Sequence, residues 1–452
     1  MRRLAIAAAI ACVLADVLVV RQPVVAVIIA ALLLVGLLAF AVGVDASVLV
    51  IGFLVAAIPK AGLKVGGFPF PFMLFGLVLA ASAIVYARQE RIAQMPRRVL
   101  GALAFLLAWW FERVTVLVLS DASPAELVAL TAWFVVPAVL LAVAAVEPAG
   151  HEWGVALEAG VVAAATLSLV QVVIGVEPTL IPGLTIAYGD DFASKHVLIT
   201  TVDYGTFFKI PSSYQNGNTF GVVAGFFAVT ALYRILRGDA RRWNWILLGS
   251  TAMAVALSGS RSVLLAVAVG SSSVLCIRGS ASRKLVIVGG ALVAAIVAVR
   301  LQPGLAERFS LSSITDTQGA GRTQRWREVL DQEGVTGLGL GTSSWLSGPS
   351  SEGVFGAAEQ VGSVGVVSLL LLAVRSTAVE RLRPWRFPLL VVLICFLLDS
   401  SYLVFPTLFI PFARMWSPML PTSSAVPHDR AIDSVAQRTP SSTAPSAVSR
   451  RP

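Results

Sequence analysis

Residues 257–262 have the composition of an anion-binding turn. The run reads Leu-Ser-Gly-Ser-Arg-Ser and joins the end of one apolar segment to the start of the next. Small residues let a ligand come close to the backbone, and the Arg261 guanidinium can hold phosphate oxygens through paired hydrogen bonds. The alternative interpretation is an interfacial arginine whose stem lies in the bilayer while its charge reaches the headgroups.

A second basic segment, residues 321–330, combines cations with an apolar contact surface. It reads Gly-Arg-Thr-Gln-Arg-Trp-Arg-Glu-Val-Leu, and a glycine at position 334 stands where a helix would stop. In a helix, i, i+3 and i+4 spacing gives one face the side chains of Arg322, Arg325, Trp326, Val329 and Leu330. This face can lie on the bilayer with its arginines toward lipid phosphates, and a non-catalytic interfacial helix has the same pattern.

The residue at position 352 could supply a general base. Glu352 and Glu359 are seven positions apart, which places them on about the same side of a helix. A carboxylate there can remove the proton of a hydroxyl group, whereas Glu359 is better interpreted as a helix-start acid favoured by the dipole. The glycines of residues 337–341 predict a tight turn and not a nucleotide site, because no Lys-Ser or Lys-Thr pair follows them.

The elements that carry these residues are predicted to be membrane helices. The chain has 452 residues, of which 57% are hydrophobic and 13% charged. A bilayer core of about 30 Å needs roughly 20 apolar residues per helix, and runs near that length recur to about residue 419. The helices predicted from these runs are roughly 4–20, 23–42, 46–58, 69–87, 98–119, 126–146, 154–175, 218–236, 243–258, 262–277, 285–299, 356–374, 386–399 and 402–419. We therefore expect an all-α, polytopic transmembrane bundle of about 12–14 helices, forming one domain over residues 1–419. Asp16 interrupts the first run and no cleavage site precedes Arg21, so that run is predicted to be a membrane helix.

Basic clusters in alternate loops account for the net charge of +9 without a nucleic-acid partner. Short basic loops stay cytoplasmic, so the segments 176–217 and 300–355 are predicted to be two long extracytoplasmic loops. The tail 420–452, rich in Ser, Pro and Thr, is predicted to be disordered and cytoplasmic. All cysteines fall inside apolar runs, which predicts neither a disulfide framework nor a zinc site. The four basic clusters are Arg88, Arg91, Arg97 and Arg98; Arg234, Arg237, Arg241 and Arg242; Arg278, Arg283 and Lys284; and Arg375, Arg381, Arg383 and Arg386.

Taken in order, these motifs resemble the O-antigen ligase and O-antigen polymerase superfamily. The resemblance is carried by residues 257–262, the Gly-Arg and Trp of 321–326, the glycine turn 337–341 and the Glu-x-x-Gly run from Glu359. It is clearest over about residues 205–420, and the Ile58-Pro59 break is similar to a weaker family feature. The resemblance implies a metal-independent glycosyltransferase of the bacterial inner membrane that uses no cofactor. Its expected partners are an undecaprenyl-pyrophosphate-linked glycan, membrane lipids and other polysaccharide-assembly proteins.

The resemblance also implies roles for individual residues. Arg261 and Arg322 would hold the pyrophosphate leaving group with support from Arg325, since fixed cations stabilise the charge that develops as it departs. Ligases of the family place a His-Asn pair before the helix expected near residue 356, where this chain has Ser351-Glu352. This difference favours polymerisation of repeat units over ligation, with Glu352 as the base. The other candidate substrate contacts are Trp326, Tyr214 and Asn218.

Two other function classes are compatible with the sequence. Asp16 and Glu112 lie at membrane depth, where charges are costly, and such residues suit a transporter or a lipid-glycan flippase. No internal repeat accompanies them, and most polar residues fall in the outer loops, which favours surface chemistry. The third class is a non-catalytic scaffold for polysaccharide assembly.

Overall fold

The computed structural model of the chain describes thirteen stretches, all within the compact unit Met1–Pro418. The predicted tail 420–452 and the predicted outer loop 300–355, apart from its first two residues, lie outside the described residues. The described stretches are 44–59, 63–65, 68–70, 97–119, individual residues between 127 and 138, 150–179, 198–201, 205–208, 210–214, 217–277, 280–301, 384–398 and 409–416.

Helices make up most of the described residues, which confirms the helical class. Most begin and end within a few residues of the predicted apolar runs, and the helical residues between 127 and 138 fall in the predicted helix 126–146. The helices are α1 (Val44–Ala57), α2 (Arg97–Leu119), α3 (Gly150–Ile174), α4 (Gly217–Leu236), α5 (Arg242–Leu257), α6 (Arg261–Leu275), α7 (Ala281–Leu301), α8 (Arg386–Leu398) and α9 (Phe409–Trp416), with a 3-10 turn at Glu177–Thr179.

Two short antiparallel hairpins were not predicted. The first pairs β1 (Leu63–Val65) with β2 (Phe68–Phe70), and Val65 lies opposite Phe68. Because residues 69 and 70 belong to β2, the prediction of a helix over 69–87 was wrong at its start. The second hairpin pairs β3 (Leu198–Thr201) with β4 (Gly205–Phe208), inside the segment predicted only as a loop.

Helix α4 is the centre of the bundle. Its residues are almost all buried, and it packs against α5, α6 and α8. A Cβ atom added at Gly225 would lie 3.1 Å from Val391 of α8 and still closer to Val267 of α6. Glycine at this position therefore lets three helices approach one another, as small residues do in membrane bundles.

The surface of the bundle is that of a membrane protein. Three of the described helices are long and apolar enough to cross a membrane: Leu100–Leu119, Glu152–Ile174 and Gly217–Leu236. Large apolar side chains on α2 and α7 are exposed, with Leu119 at 80% and Leu285 at 75% of their full accessibility. Water would penalise contiguous apolar surface of this kind, whereas lipid tails accept it.

The described helices have two chemically different ends. The serine end contains Ser258, Ser260 and Ser262, and the arginine end contains Arg234 and Arg242. Helix α4 runs from the serine end to the arginine end, and α5 returns. At the arginine end, the Gly238 N–H donates to the Ile235 carbonyl at 3.1 Å and the Asp239 N–H to the Arg234 carbonyl at 3.0 Å. Gly238 has φ +101°, the left-handed conformation that ends many helices.

Helices α1 and α3 pack backbone against backbone at Gly160. A Cβ atom added there would overlap the Phe53 carbonyl oxygen and lie 2.8 Å from Ala56 Cβ and 2.9 Å from Ala57 N. These neighbours belong to the main chain or to a short side chain, so rotamer changes cannot relieve the contact.

The substitution Gly160→Ala is therefore expected to lower stability by about 1–3 kcal/mol, because the two helices must separate. The matched control is Gly249→Ala on α5, where an added Cβ meets no atom within 4 Å. Alanine should leave that helix unchanged or slightly more stable. Thermal unfolding of the two purified variants in detergent measures the difference, and equal melting temperatures would contradict the close α1–α3 contact.

Candidate functional site

The predicted anion-binding turn is a tight reversal between α5 and α6. The Ser258 N–H donates to the Ala254 carbonyl at 2.9 Å, and the Gly259 N–H to the Ala256 carbonyl at 3.4 Å. Gly259 then takes φ +60°, and α6 begins two residues later at Arg261. A left-handed glycine at this point lets the chain turn back after three residues.

Arg261 is the first residue of α6, and its side chain is partly exposed. The N-cap residue Ser260 has an extended backbone, and its side chain makes no capping hydrogen bond to the first turn. Its hydroxyl instead lies 3.2 Å from the Ser262 hydroxyl. Arg261 therefore begins a helix whose first backbone N–H groups lack intrahelical partners and whose dipole is positive at this end. Such a combination is suited to a phosphate or a diphosphate.

Glycine also fixes the position of this turn against α4. A Cβ atom added at Gly221 would lie 2.7 Å from the Ser258 hydroxyl oxygen and 3.1 Å from Val263 of α6. The first turns of α4 and α6 are thus in contact. Asn218, a predicted substrate contact, is one turn before Gly221 and is partly exposed. The structure places Asn218 and Arg261 in the first turns of two adjacent helices at the same end of the bundle.

Tyr214 has a structural position in the described residues. It is fully buried, its ring packs at 5.1 Å from that of Phe220, and its hydroxyl donates to the Ala56 carbonyl at 2.8 Å. Burial raises the pKa of the Tyr214 phenol, which keeps it a neutral donor. The predicted substrate contact is untested, and the hydroxyl already has a partner on α1.

The contact with α1 follows from the Ile58-Pro59 break. Because α1 ends at Ala57, the last carbonyls of the helix lack intrahelical partners. Tyr214 donates to Ala56, and the Ser213 hydroxyl donates to Ala57. Side chains more than 150 positions away in sequence therefore supply hydrogen bonds to the last carbonyl groups of this helix.

Gln171 of α3 holds the same segment in place. Its amide nitrogen donates to the Ser212 carbonyl at 3.0 Å and to the Thr179 hydroxyl at 2.9 Å, and its amide oxygen accepts from the Ser212 N–H at 2.9 Å. Ser212 has φ +55°, which is unfavourable for a residue with a side chain. Ile210 continues the segment and donates to the Leu257 carbonyl at 3.3 Å. The base of the predicted outer loop 176–217 is thus tied to the turn that bears Arg261.

The remaining predicted site residues lie outside the described residues. They are Arg322, Arg325, Trp326 and Glu352. Their approach to Arg261 stays a prediction. Within the described ranges, no group of three His, Cys, Asp or Glu side chains could hold a metal ion.

A buried ionic cluster at the arginine end was not predicted. Glu158 of α3 is fully buried and accepts a hydrogen bond from Arg414 Nε of α9 at 2.7 Å. Arg234 Nη2 of α4 lies 2.8 Å from the same carboxylate oxygen, and the Trp243 indole of α5 donates to the other oxygen at 2.8 Å. One carboxylate therefore connects four helices.

The Arg414 guanidinium is enclosed on its other sides. It lies 5.3 Å from the ring centre of Trp385, and a Cβ atom at Gly154 would be 2.7 Å from its Cζ atom. A buried arginine needs a carboxylate and close packing, because the loss of hydration costs several kcal/mol per ion. The sequence contained one signal of this cluster. Glu158 is the only glutamate in the apolar run predicted at 154–175, and Arg414 is the only arginine in the run predicted at 402–419.

The chain matches none of the known protein families and no curated protein. The resemblance to the O-antigen ligase and polymerase superfamily therefore stays a prediction from the ordered motifs.

The substitution Glu158→Ala should destabilise the bundle by about 3–5 kcal/mol, because it leaves two buried guanidinium groups without their carboxylate. The control is Asp239→Ala at the same end. Asp239 accepts two hydrogen bonds of 2.6 Å from Arg241, which hold its pKa below the usual range, but the Arg241 side chain is 56% exposed. An exposed pair contributes about 0–1 kcal/mol. Thermal unfolding in detergent compares the stability of the two variants. A similar loss of stability in both would contradict the prediction that the Glu158 cluster stabilises the bundle more than an exposed ion pair does.

Proposed function

We propose that this chain is a membrane glycosyltransferase that polymerises or ligates polyprenyl-pyrophosphate-linked oligosaccharides at the outer face of the bacterial inner membrane. The observation that carries the proposal is the position of Arg261 as the first residue of α6, in a turn built from glycine and serine. A diphosphate leaving group requires fixed positive charge beside the bilayer, and this turn offers a guanidinium together with a helix N-terminus.

The charge distribution supports an extracytoplasmic location for this turn. Basic residues collect at the arginine end, and short basic loops remain in the cytoplasm. The serine end, with Arg261, is then on the opposite side of the membrane. We propose the same orientation for the complete bundle of about 12–14 helices, with its two long loops outside and its tail 420–452 inside. The described arginines at the arginine end are Arg234, Arg237, Arg241, Arg242, Arg283, Arg386 and Arg414.

In the proposed reaction, a hydroxyl oxygen of the acceptor sugar attacks the anomeric carbon of the lipid-linked glycan. The bond between that carbon and the diphosphate oxygen breaks, and the diphosphate leaves with the bonding electrons. Arg261 and Arg322 bind its oxygens with help from Arg325, while Glu352 takes the proton of the attacking hydroxyl. Trp326 and Asn218 supply further contacts to the glycan or its carrier.

The second candidate is a flippase or transporter for the same kind of lipid-linked glycan. Glu158 favours it, because an ionised carboxylate within a membrane span marks a substrate or ion pathway in many transporters. In the described residues, however, this carboxylate is bound by Arg234, Trp243 and Arg414. A fully bound carboxylate fits a structural role better, which makes glycosyl transfer the first proposal.

The variants Arg261→Ala and Arg322→Ala should each lower glycan chain extension by about a hundredfold or more, since each removes a charge that stabilises the leaving group. The matched control is Arg242→Ala, because Arg242 is likewise the first residue of a helix but lies at the arginine end. Product length on gels, together with the amount of protein in the membrane, gives the result. Normal product length in both site variants would rule out this mechanism.

Deletion of the protein from its host should cause lipid-linked single repeat units to accumulate in the outer leaflet. A polymerase acts after translocation, so its substrate builds up outside when the enzyme is missing. Leaflet position is measured by the access of an added glycosidase to intact spheroplasts. Accumulation in the inner leaflet would instead support the flippase.

A further inference from the structure

An open groove lies between α6 and α8 at the arginine end of the bundle. It has a volume of about 550 Å³. The two helices touch directly beside the groove, where a Cβ atom at Gly270 would lie 3.2 Å from Val391 and 3.3 Å from the Phe387 carbonyl. The groove is lined by Ser273, Cys276, Ile277, Arg386, Phe387 and Leu390.

Arg386 gives the groove its charge. It is the first residue of α8, and its guanidinium lies 4.4 Å from the ring centre of Phe387. Among the described residues, its buried Nε atom has no hydrogen-bond partner. A buried N–H group on a cation is costly when nothing accepts from it, so an anion in the groove would stabilise this arrangement.

Four of the other described arginines at this end already have protein partners. Arg234 and Arg414 bind Glu158, and Arg241 binds Asp239. Arg283 donates to the Ile235 carbonyl at 3.3 Å. Arg386 differs from these four because it combines a groove with an unsatisfied donor.

The polarity of the groove changes along the helix axis. Arg386 and Cys276 are at the helix ends, whereas Leu390 is one turn deeper along α8. On α6, the exposed residues Leu265, Val269 and Cys276 are at positions i, i+4 and i+11, which lie on one face of a helix. The groove thus opens on the side of α6 that presents apolar residues to the surroundings, and its cation is at the start of α8.

We propose that this groove binds an anionic phospholipid of the membrane leaflet at the arginine end. The phosphate accepts hydrogen bonds from Arg386, and an acyl chain follows the apolar side of α6 and α8 toward the bilayer centre. The charge of the groove selects an anionic headgroup, and its apolar inner part selects a lipid over a soluble anion. This site is on the opposite end of the bundle from Arg261, and it does not depend on the proposed enzymatic activity.

Native mass spectrometry of the purified full chain with added phosphatidylglycerol or phosphatidylcholine tests the proposal. Arg386→Ala should weaken phosphatidylglycerol binding roughly tenfold, because one charge-assisted contact to phosphate is lost. It should weaken phosphatidylcholine binding less, because the choline cation of that lipid already balances its phosphate, so the preference for phosphatidylglycerol should be lost. The matched control is Arg237→Ala. Arg237 is exposed at the same end and also lies over an aromatic ring, at 5.6 Å from the centre of Tyr233, but it does not line the groove. Equal losses in the two variants, or no loss in Arg386→Ala, would overturn the proposal.

The free thiol of Cys276 locates the bound lipid. In nanodiscs, phosphatidylglycerol should slow the alkylation of Cys276 by a neutral maleimide relative to phosphatidylcholine, with the modified peptide identified by mass spectrometry. Inorganic phosphate added to phosphatidylcholine nanodiscs should not slow the alkylation of Cys276. If it slows alkylation as much as phosphatidylglycerol does, the groove binds a soluble anion and the lipid proposal is wrong. If Arg386→Ala does not fold, Leu390→Trp fills the groove while the charge remains. That variant should also lose the preference for phosphatidylglycerol, and a retained preference would refute the site.

Discussion

The described bundle depends on the burial of one carboxylate. Glu158 is the acceptor for Arg234 and Arg414, and neither arginine could enter the interior of an apolar bundle at acceptable cost without it. Hydrogen bonds to a carboxylate also have strict geometry, so they fix the rotation and the axial position of each helix that takes part. Apolar packing alone allows helices to slide, because its free energy depends on area and not on direction.

This constraint at the arginine end also affects the serine end. Helix α4 carries Arg234 near one terminus and Gly221 near the other, so a fixed α4 fixes the surface on which the turn with Ser258 rests. The contacts at the serine end are of a different kind. Hydrogen bonds from the side chains of Gln171, Ser213 and Tyr214 to main-chain atoms hold that end together. Buried charge thus stabilises one end of the bundle, and hydrogen bonds to the main chain stabilise the other.

Sequence predicts the local features of this protein better than its long-range contacts. Apolar length gave the helix starts near residues 218, 243 and 262, within one residue of the structure, because each helix follows a marked change in polarity. It did not reveal the bond between Glu158 and Arg414, whose 256 positions of separation leave no periodic signal. The hairpin of β3 and β4 was missed because its strands are only four residues long. Composition also cannot show that the Tyr214 hydroxyl donates to the end of α1.

Four described helices begin with an arginine, where helix electrostatics disfavours a cation; they are α2 with Arg97, α5 with Arg242, α6 with Arg261 and α8 with Arg386. Arg261 and Arg386 are the first residues of α6 and α8, next to the positive end of the dipole, and neither first turn contains an acidic residue. Helix α5 also begins with an arginine, but Asp239 is three positions before it and pairs with Arg241. The protein therefore compensates this unfavourable charge internally at α5. At α6 and α8, the proposed diphosphate and the proposed lipid phosphate would each add an anion beside the first residue of the helix.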